Sequence, residues 1–220
     1  MKFIRLVCFA IVVAIVINVT QVIATPKPQN QESIKSFSQW CKQKDSLPKD
    51  TKYTVEILLN EAGTSDCTSA EQILDKRQKL NLQGNQISDL SPLAGLTNLT
   101  KLTLGVSQIS DLSPLKGLTN LTSLTLGINQ ISDLKPLVGL TNLTSLNLSN
   151  YQISDLSPLA GLTNLTQLDL SNSENDELHY LAESLGDNNL ISDLSPLAGL
   201  TNLTSLSLSD NQISDLSPLA

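Results

Sequence analysis

His179 is the chain's one histidine, with Asp176 three residues before it and Glu183 four after it. On a helix those offsets bring the imidazole and both carboxylates to one face, a donor set that suits a divalent metal. A solvated acidic helix face uses the same residues. It is the stronger reading, because tight metal sites need further ligands and an ordered outer shell. The thiols are Cys8, Cys41 and Cys67. Cys8 falls in an apolar N-terminal run, too early to look like a lipoprotein acylation site. Cys41 and Cys67 have no histidine near them and zinc takes four ligands, so metal binding by this pair is the weaker reading. In an exported chain an even pair favours a disulfide, and closing that loop adds about 3 kcal/mol by restricting the unfolded chain. The chain has no Ser-His-Asp spacing, glycine-rich phosphate loop or zinc signature. The sequence therefore assigns no catalytic residue, no metal and no cofactor. A metal-dependent enzyme using His179 and its neighbouring acids is the alternative from another class.

Export rests on the first residues. Lys2 and Arg5 give a short positive start, residues 6–17 are an unbroken apolar run, and Val22-Ile23-Ala24 fits signal peptidase. The run is short of the ~20 residues that a spanning helix needs, and Asn18, Thr20 and Gln21 interrupt its extension. Residues 1–24 thus read as a cleaved signal, with a retained membrane anchor as the alternative. The mature protein is then secreted or held in the periplasm or cell envelope, without stable membrane insertion. Cleavage removes two positive charges from a chain whose net charge is already −7. An acidic chain without a basic stripe argues against nucleic acid and anionic membrane surfaces as partners. Residues 25–35 form a polar, proline-bearing flexible leader.

From Leu80 onward one phrase repeats. Asn85-Gln86-Ile87-Ser88-Asp89-Leu90-Ser91-Pro92-Leu93 returns with its aspartate at Asp111, Asp133, Asp155, Asp193 and Asp215. The spacing is 22 residues each time, except for 38 between Asp155 and Asp193. A fixed short period with leucines at fixed offsets is the signature of a solenoid. Leu124-Thr125-Leu126 alternates apolar and polar and reads as a short strand. One such strand cannot bury its leucines, but stacked copies can, as a parallel sheet along one side of a coil. Ser91-Pro92-Leu93-Ala94-Gly95 supplies an N-cap serine, a proline at the first helical position and an exit glycine, spaced for one 3₁₀ turn.

These residues resemble the leucine-rich repeat family, specifically the bacterial 22-residue class of internalins and secreted cyanobacterial proteins. The resemblance covers residues 80–220. It implies an α/β solenoid: a right-handed coil with a concave parallel β-sheet and 3₁₀ turns on the convex side. It also implies protein partners bound through the concave face, although fold alone does not fix function. Residues 36–79 fall outside the repeat. Helices are predicted around Trp40, over 51–61 with Gly63 past the end, and after the capping-box spelling Thr68-Ser69-Ala70-Glu71. This segment reads as the helical cap that a solenoid's first repeat requires, as internalins also have.

The strands place Lys101, Thr103, Thr125, Asn147, Gln167, Asp169 and Asp210 on the concave face as candidate partner-binding residues. Hot spots favour Trp, Tyr and Arg, and the strand positions hold none of them, so a generic hydrated sheet is the competing reading. Charge drifts from Lys79 and Lys101 toward Asp169 and Asp210, a hint of polarity in any partner. In this family the asparagine before the isoleucine hydrogen-bonds to backbone in neighbouring coils. Here the position holds Asn85, Ser107, Asn129, Tyr151, Asn189 and Asn211. A phenol cannot replace a buried amide, so Tyr151 either turns outward and weakens the ladder or serves as a lone aromatic anchor.

The longer gap is an insertion at residues 173–188, with Leu178, Leu181 and Leu185 at helical spacing and Gly186 as a stop. It is either a binding excursion or a tolerated remnant. Asn98, Asn120, Asn142, Asn164 and Asn202 head Asn-Leu-Thr glycosylation triplets that the repeat itself imposes. At Leu216-Ser217-Pro218-Leu219-Ala220 no cap is spelled. The expectation is a fragment of a longer protein or self-association through that end. The function expected is an exported, non-enzymatic module for protein–protein interaction, with a degenerate fragment lacking independent function as an alternative.

Overall fold

The computed structural model describes residues 35–149, 152–172 and 191–220. Three helices come first: α1 (Phe37–Lys42), α2 (Lys49–Ala62) and α3 (Cys67–Asp75). Ser36 caps α1 with a full capping box, its hydroxyl accepting from Gln39 N–H while the Gln39 side chain accepts from Ser36 N–H. Gly63 ends α2 in the left-handed region at φ +68, where a residue without Cβ carries no steric cost. The cap of α3 differs from the predicted spelling. Asp66, in extended backbone, accepts from Ser69 N–H, and Glu71 instead accepts from Ser38 N–H of α1.

Six strands follow among the described residues: β1 (Lys79–Asn81), β2 (Lys101–Thr103), β3 (Ser123–Thr125), β4 (Ser145–Asn147), β5 (Gln167–Asp169) and β6 (Ser205–Ser207). They form one parallel sheet in chain order. The register pairs Leu80 with Leu102, Leu102 with Leu124, Leu124 with Leu146, Leu146 with Leu168 and Leu168 with Leu206. Between β5 and β6 lies the 38-residue step, yet the register there is the same as elsewhere. The stack therefore continues past the insertion, whose predicted helix, with His179, lies outside the described residues.

Each coil closes through a 3₁₀ turn such as Ser91–Leu93 or Ser157–Leu159. The serine is not the cap. It lies inside the turn, and its N–H donates to the aspartate two residues earlier: Ser91 to Asp89, Ser113 to Asp111, Ser157 to Asp155, Ser195 to Asp193 and Ser217 to Asp215. Serine hydrogen bonds hold the Asp155, Asp193 and Asp215 carboxyls below the usual aspartate range.

The core is a set of aliphatic ladders running the length of the stack. Leu82, Leu104, Leu126, Leu148 and Leu170 form one, and Ile87, Ile109, Ile131, Ile153 and Ile191 another. Each fully buried leucine contributes about 1.5–3 kcal/mol over an exposed one. Polar ladders run beside them. Asn120, Asn142, Asn164 and Asn202 donate through Nδ2 to carbonyls of the preceding coil, and Asn98 to the Asp75 carbonyl at the end of α3, at 2.8–2.9 Å. Thr100, Thr122, Thr144, Thr166 and Thr204 donate their hydroxyls likewise at 3.0–3.1 Å. Asn and Thr of each Asn-Leu-Thr triplet therefore tie neighbouring coils together, which is why the repeat spells it.

Helices and repeats join at Asp89. Thr51 and Thr54 of α2 donate their hydroxyls to its carboxylate and its carbonyl. Arg77 adds an ion pair to Glu61 at 3.3 Å. Cys41 and Cys67 are disulfide-bonded, with Cα atoms 5.5 Å apart, and tie α1 to the start of α3.

Candidate partner-binding face

Each strand's central leucine points into the core, so its two neighbours project from the other side of the sheet. Two rows result. The first is Lys79, Lys101, Ser123, Ser145, Gln167 and Ser205, and the second Asn81, Thr103, Thr125, Asn147, Asp169 and Ser207. Lys101, Thr103, Thr125, Asn147, Gln167 and Asp169 thus share one face, each exposed or half-buried. Asp210 lies beyond β6, exposed and in the left-handed region at φ +57. Tyr151 lies outside the described residues.

The two halves of this face differ. On β4 and β5 the side chains bond to one another. Asn147 Nδ2 donates to Asp169 Oδ2 at 2.7 Å. Asn147 Oδ1 accepts from the Ser149 N–H and hydroxyl, and Asp169 Oδ1 from the Ser171 N–H and hydroxyl. The network leans over Gly127. A Cβ there would come within 2.5 Å of Ser149 Oγ and 2.9 Å of Asn147 Oδ1, so any larger residue would have to displace that network. On β1 and β2, Lys79 and Lys101 stand side by side in register. The ion pairs among the described residues, Lys52–Asp45 and Arg77–Glu61, include neither.

Three residues past β1, β2, β3 and β6 the backbone turns through the left-handed region. Gly84 (φ +77), Val106 (φ +56), Ile128 (φ +56) and Asp210 (φ +57) occupy that position. Gly and Asp suit it, whereas a β-branched residue there is a steric outlier. Val106 and Ile128 adjoin on successive coils, both half-buried. Their conformation could have been inferred by aligning the coils, since Gly84 and Asp210 mark the same place.

Beneath the rim lies the asparagine ladder. Asn129 is 2% exposed. Its Oδ1 accepts from Ile109 N–H, and its Nδ2 donates to the carbonyls of Leu104 and Leu126. Asn211 likewise donates to the Leu170 and Leu208 carbonyls. Ser107 is too short for this reach, and its buried hydroxyl has no partner.

No group of three or more His, Cys, Asp or Glu among the described residues could hold a metal. The arrangement there is a displayed surface, not a pocket with convergent reactive groups.

The leucine-rich repeat (two copies) family model matches residues 78–117, 97–139, 119–161, 141–182 and 184–220. Among solved structures, an internalin (inlF) from Listeria monocytogenes is similar at 33% identity and TM-score 0.64, covering 76% of this chain and 45% of that one. Internalin C2 of the same species is similar at 36% identity and TM-score 0.53, covering 75% and 86%. A leucine-rich repeat protein of Leptospira interrogans follows at 29% identity and TM-score 0.54, covering 66% and 34%. The chain thus spans 45% of the length of the inlF structure. No curated protein matches it closely enough to count as a relative. With its unbroken register of short parallel strands, its 3₁₀ returns and these matches, the chain belongs to the leucine-rich repeat family, in its bacterial internalin-like class.

Proposed function

We propose that this chain is an exported, non-enzymatic leucine-rich repeat module that binds a protein partner through the displayed face of β1–β6, the concave face in this family. One observation carries the reading. The middle of every strand is leucine, buried in β1–β5 and half-buried in β6, while the outward rows change from coil to coil. Folding needs only the buried row to be uniform, and a varied row in fixed register is what recognition uses. Lys101, Thr103, Thr125, Asn147, Gln167 and Asp169 are the contacts on this reading, with Tyr151 and Asp210 at the rim. Export rests on residues 1–24 as a cleaved signal. No helix among the described residues is long and apolar enough to cross a membrane.

The test is retention of a protein from the source's envelope or culture fraction by the immobilised mature chain. Thr125→Trp, which puts bulk on the displayed face, should abolish retention. Val138→Trp, at a 52% exposed position next to a 3₁₀ turn, should preserve it. Equal retention by both variants rejects this face as the site.

A further inference from the structure

Lys79 and Lys101 occupy paired positions on adjacent parallel strands, where backbones lie roughly 4.8 Å apart. Both are exposed, and neither is in an ion pair among the described residues. Like charges placed directly opposite destabilise a sheet. Substitution of either by serine, as at Ser123 and Ser145 in the same row, would remove the repulsion. The pair is also the reverse of the chain as a whole, whose net charge is −7.

An apolar pair lies past the ends of β2 and β3, at the opposite ends of the strands from the lysines. Val106 and Ile128 are half-buried at a left-handed position that Gly84 and Asp210 fill without a β-branched side chain. Strain of this kind persists where the surrounding structure or a function holds it. At the other end of the face, Asp169 already has both carboxylate oxygens bonded, to Asn147 and Ser171. The charged side chains with no hydrogen-bonded partner on the face are therefore the lysines at β1–β2.

We infer that β1–β3 form the docking subsite for an acidic segment of a partner protein, its carboxylates on Lys79 and Lys101 and an apolar side chain farther along the segment, past the strand ends, against Val106 and Ile128. This rests on the reading of the displayed face as the binding face and names the class of partner. Opposite charge on the partner relieves the lysine repulsion, and steering by that charge speeds encounter.

A displayed library of random linear peptides, selected against the full mature chain, tests the inference. Retained peptides should be enriched in Asp and Glu and should lose affinity as salt rises. Combined Lys79→Glu and Lys101→Glu should weaken them by about tenfold or more. An unchanged melting temperature for this variant shows that the fold is intact. Thr125→Trp should abolish binding irrespective of peptide charge. Peptides lost with Thr125→Trp but indifferent to charge reversal would overturn the acidic subsite and leave the displayed-face reading standing. Peptides indifferent to both would overturn both. Failure to retain any acidic peptide also overturns the inference.

Discussion

Leu80, Leu102, Leu124, Leu146 and Leu168 sit at the centres of successive strands, each at most 2% exposed. Their neighbours on the same strands read Lys and Asn, Lys and Thr, Ser and Thr, Ser and Asn, Gln and Asp. One side of the sheet repeats and the other does not, although both hang from one backbone with one register. Stacking explains the repeating side. Each leucine packs on the leucines of the coils before and after it, so a change at one coil is felt by its neighbours. No such constraint acts on the displayed side, except where Gly127 lies under the Asn147 and Ser149 side chains. The difference separates what folds the molecule from what it presents.

The sharpest way to break the comparison is to mutate adjacent residues on opposite sides. Leu124→Ala should destabilise the chain by about 2–5 kcal/mol, through lost burial and a residual cavity. Thr125→Ala should stay within about 0.5 kcal/mol. Urea denaturation of the two variants measures this, and equal losses would dissolve the distinction. The helical cap gives the next effect, because it covers the first coil's leucines without being a repeat. Cys41→Ser with Cys67→Ser should cost about 3 kcal/mol. Thiol labelling of the unreduced, denatured parent should find no free thiol from this pair.

The asparagine ladder lies between the two sides and sharpens the contrast. Asn129→Ala leaves Ile109 N–H without its acceptor and should cost about 1–3 kcal/mol. Ser107→Asn restores the missing rung and should add about 1 kcal/mol. A loss on Ser107→Asn would show that coil 2 has no room for the amide.

The smallest effect is in pH. The lowered carboxyls of Asp155, Asp193 and Asp215 owe their position to Ser157, Ser195 and Ser217. Their stabilisation is complete above the ordinary aspartate value near about 3.9, and is lost as pH falls through their lowered folded values. Asp75, raised by burial and by Glu71, acts in the opposite sense and favours folding on acidification. The melting temperature should fall slightly on going well below about pH 4, and less so in Asp155→Asn, whose amide oxygen still accepts the Ser157 hydrogen bond. An identical fall in both chains would assign the acid sensitivity elsewhere.

Much of this was legible because it is local and periodic. The leucine offsets and the Ser-Pro-Leu turn each state their structure within a few residues, and the cysteine pair was legible from its even count instead. What escaped was set by contacts across the chain. Asp89 reads like every other aspartate of its phrase, and nothing in the phrase reveals that Thr51 and Thr54 bond to it. Thr68 spelled a capping box, but Asp66 stood two residues earlier and its carboxylate took the Ser69 N–H. On the displayed face, positions were readable from the period, and the candidate residues do share a face. Their pairing was not readable: a row of Asn147 and Asp169 does not announce which oxygen meets which nitrogen.

Whether recognition belongs to the displayed side of the sheet is decided by a photo-crosslinking residue placed at Thr103, and separately at Val138, in the source's envelope or culture fraction. Thr103 sits on the displayed row of β2 and Val138 beside a 3₁₀ turn across the coil. A discrete protein adduct is expected from position 103 and none from position 138. An adduct from 138 with none from 103 would move recognition off the sheet.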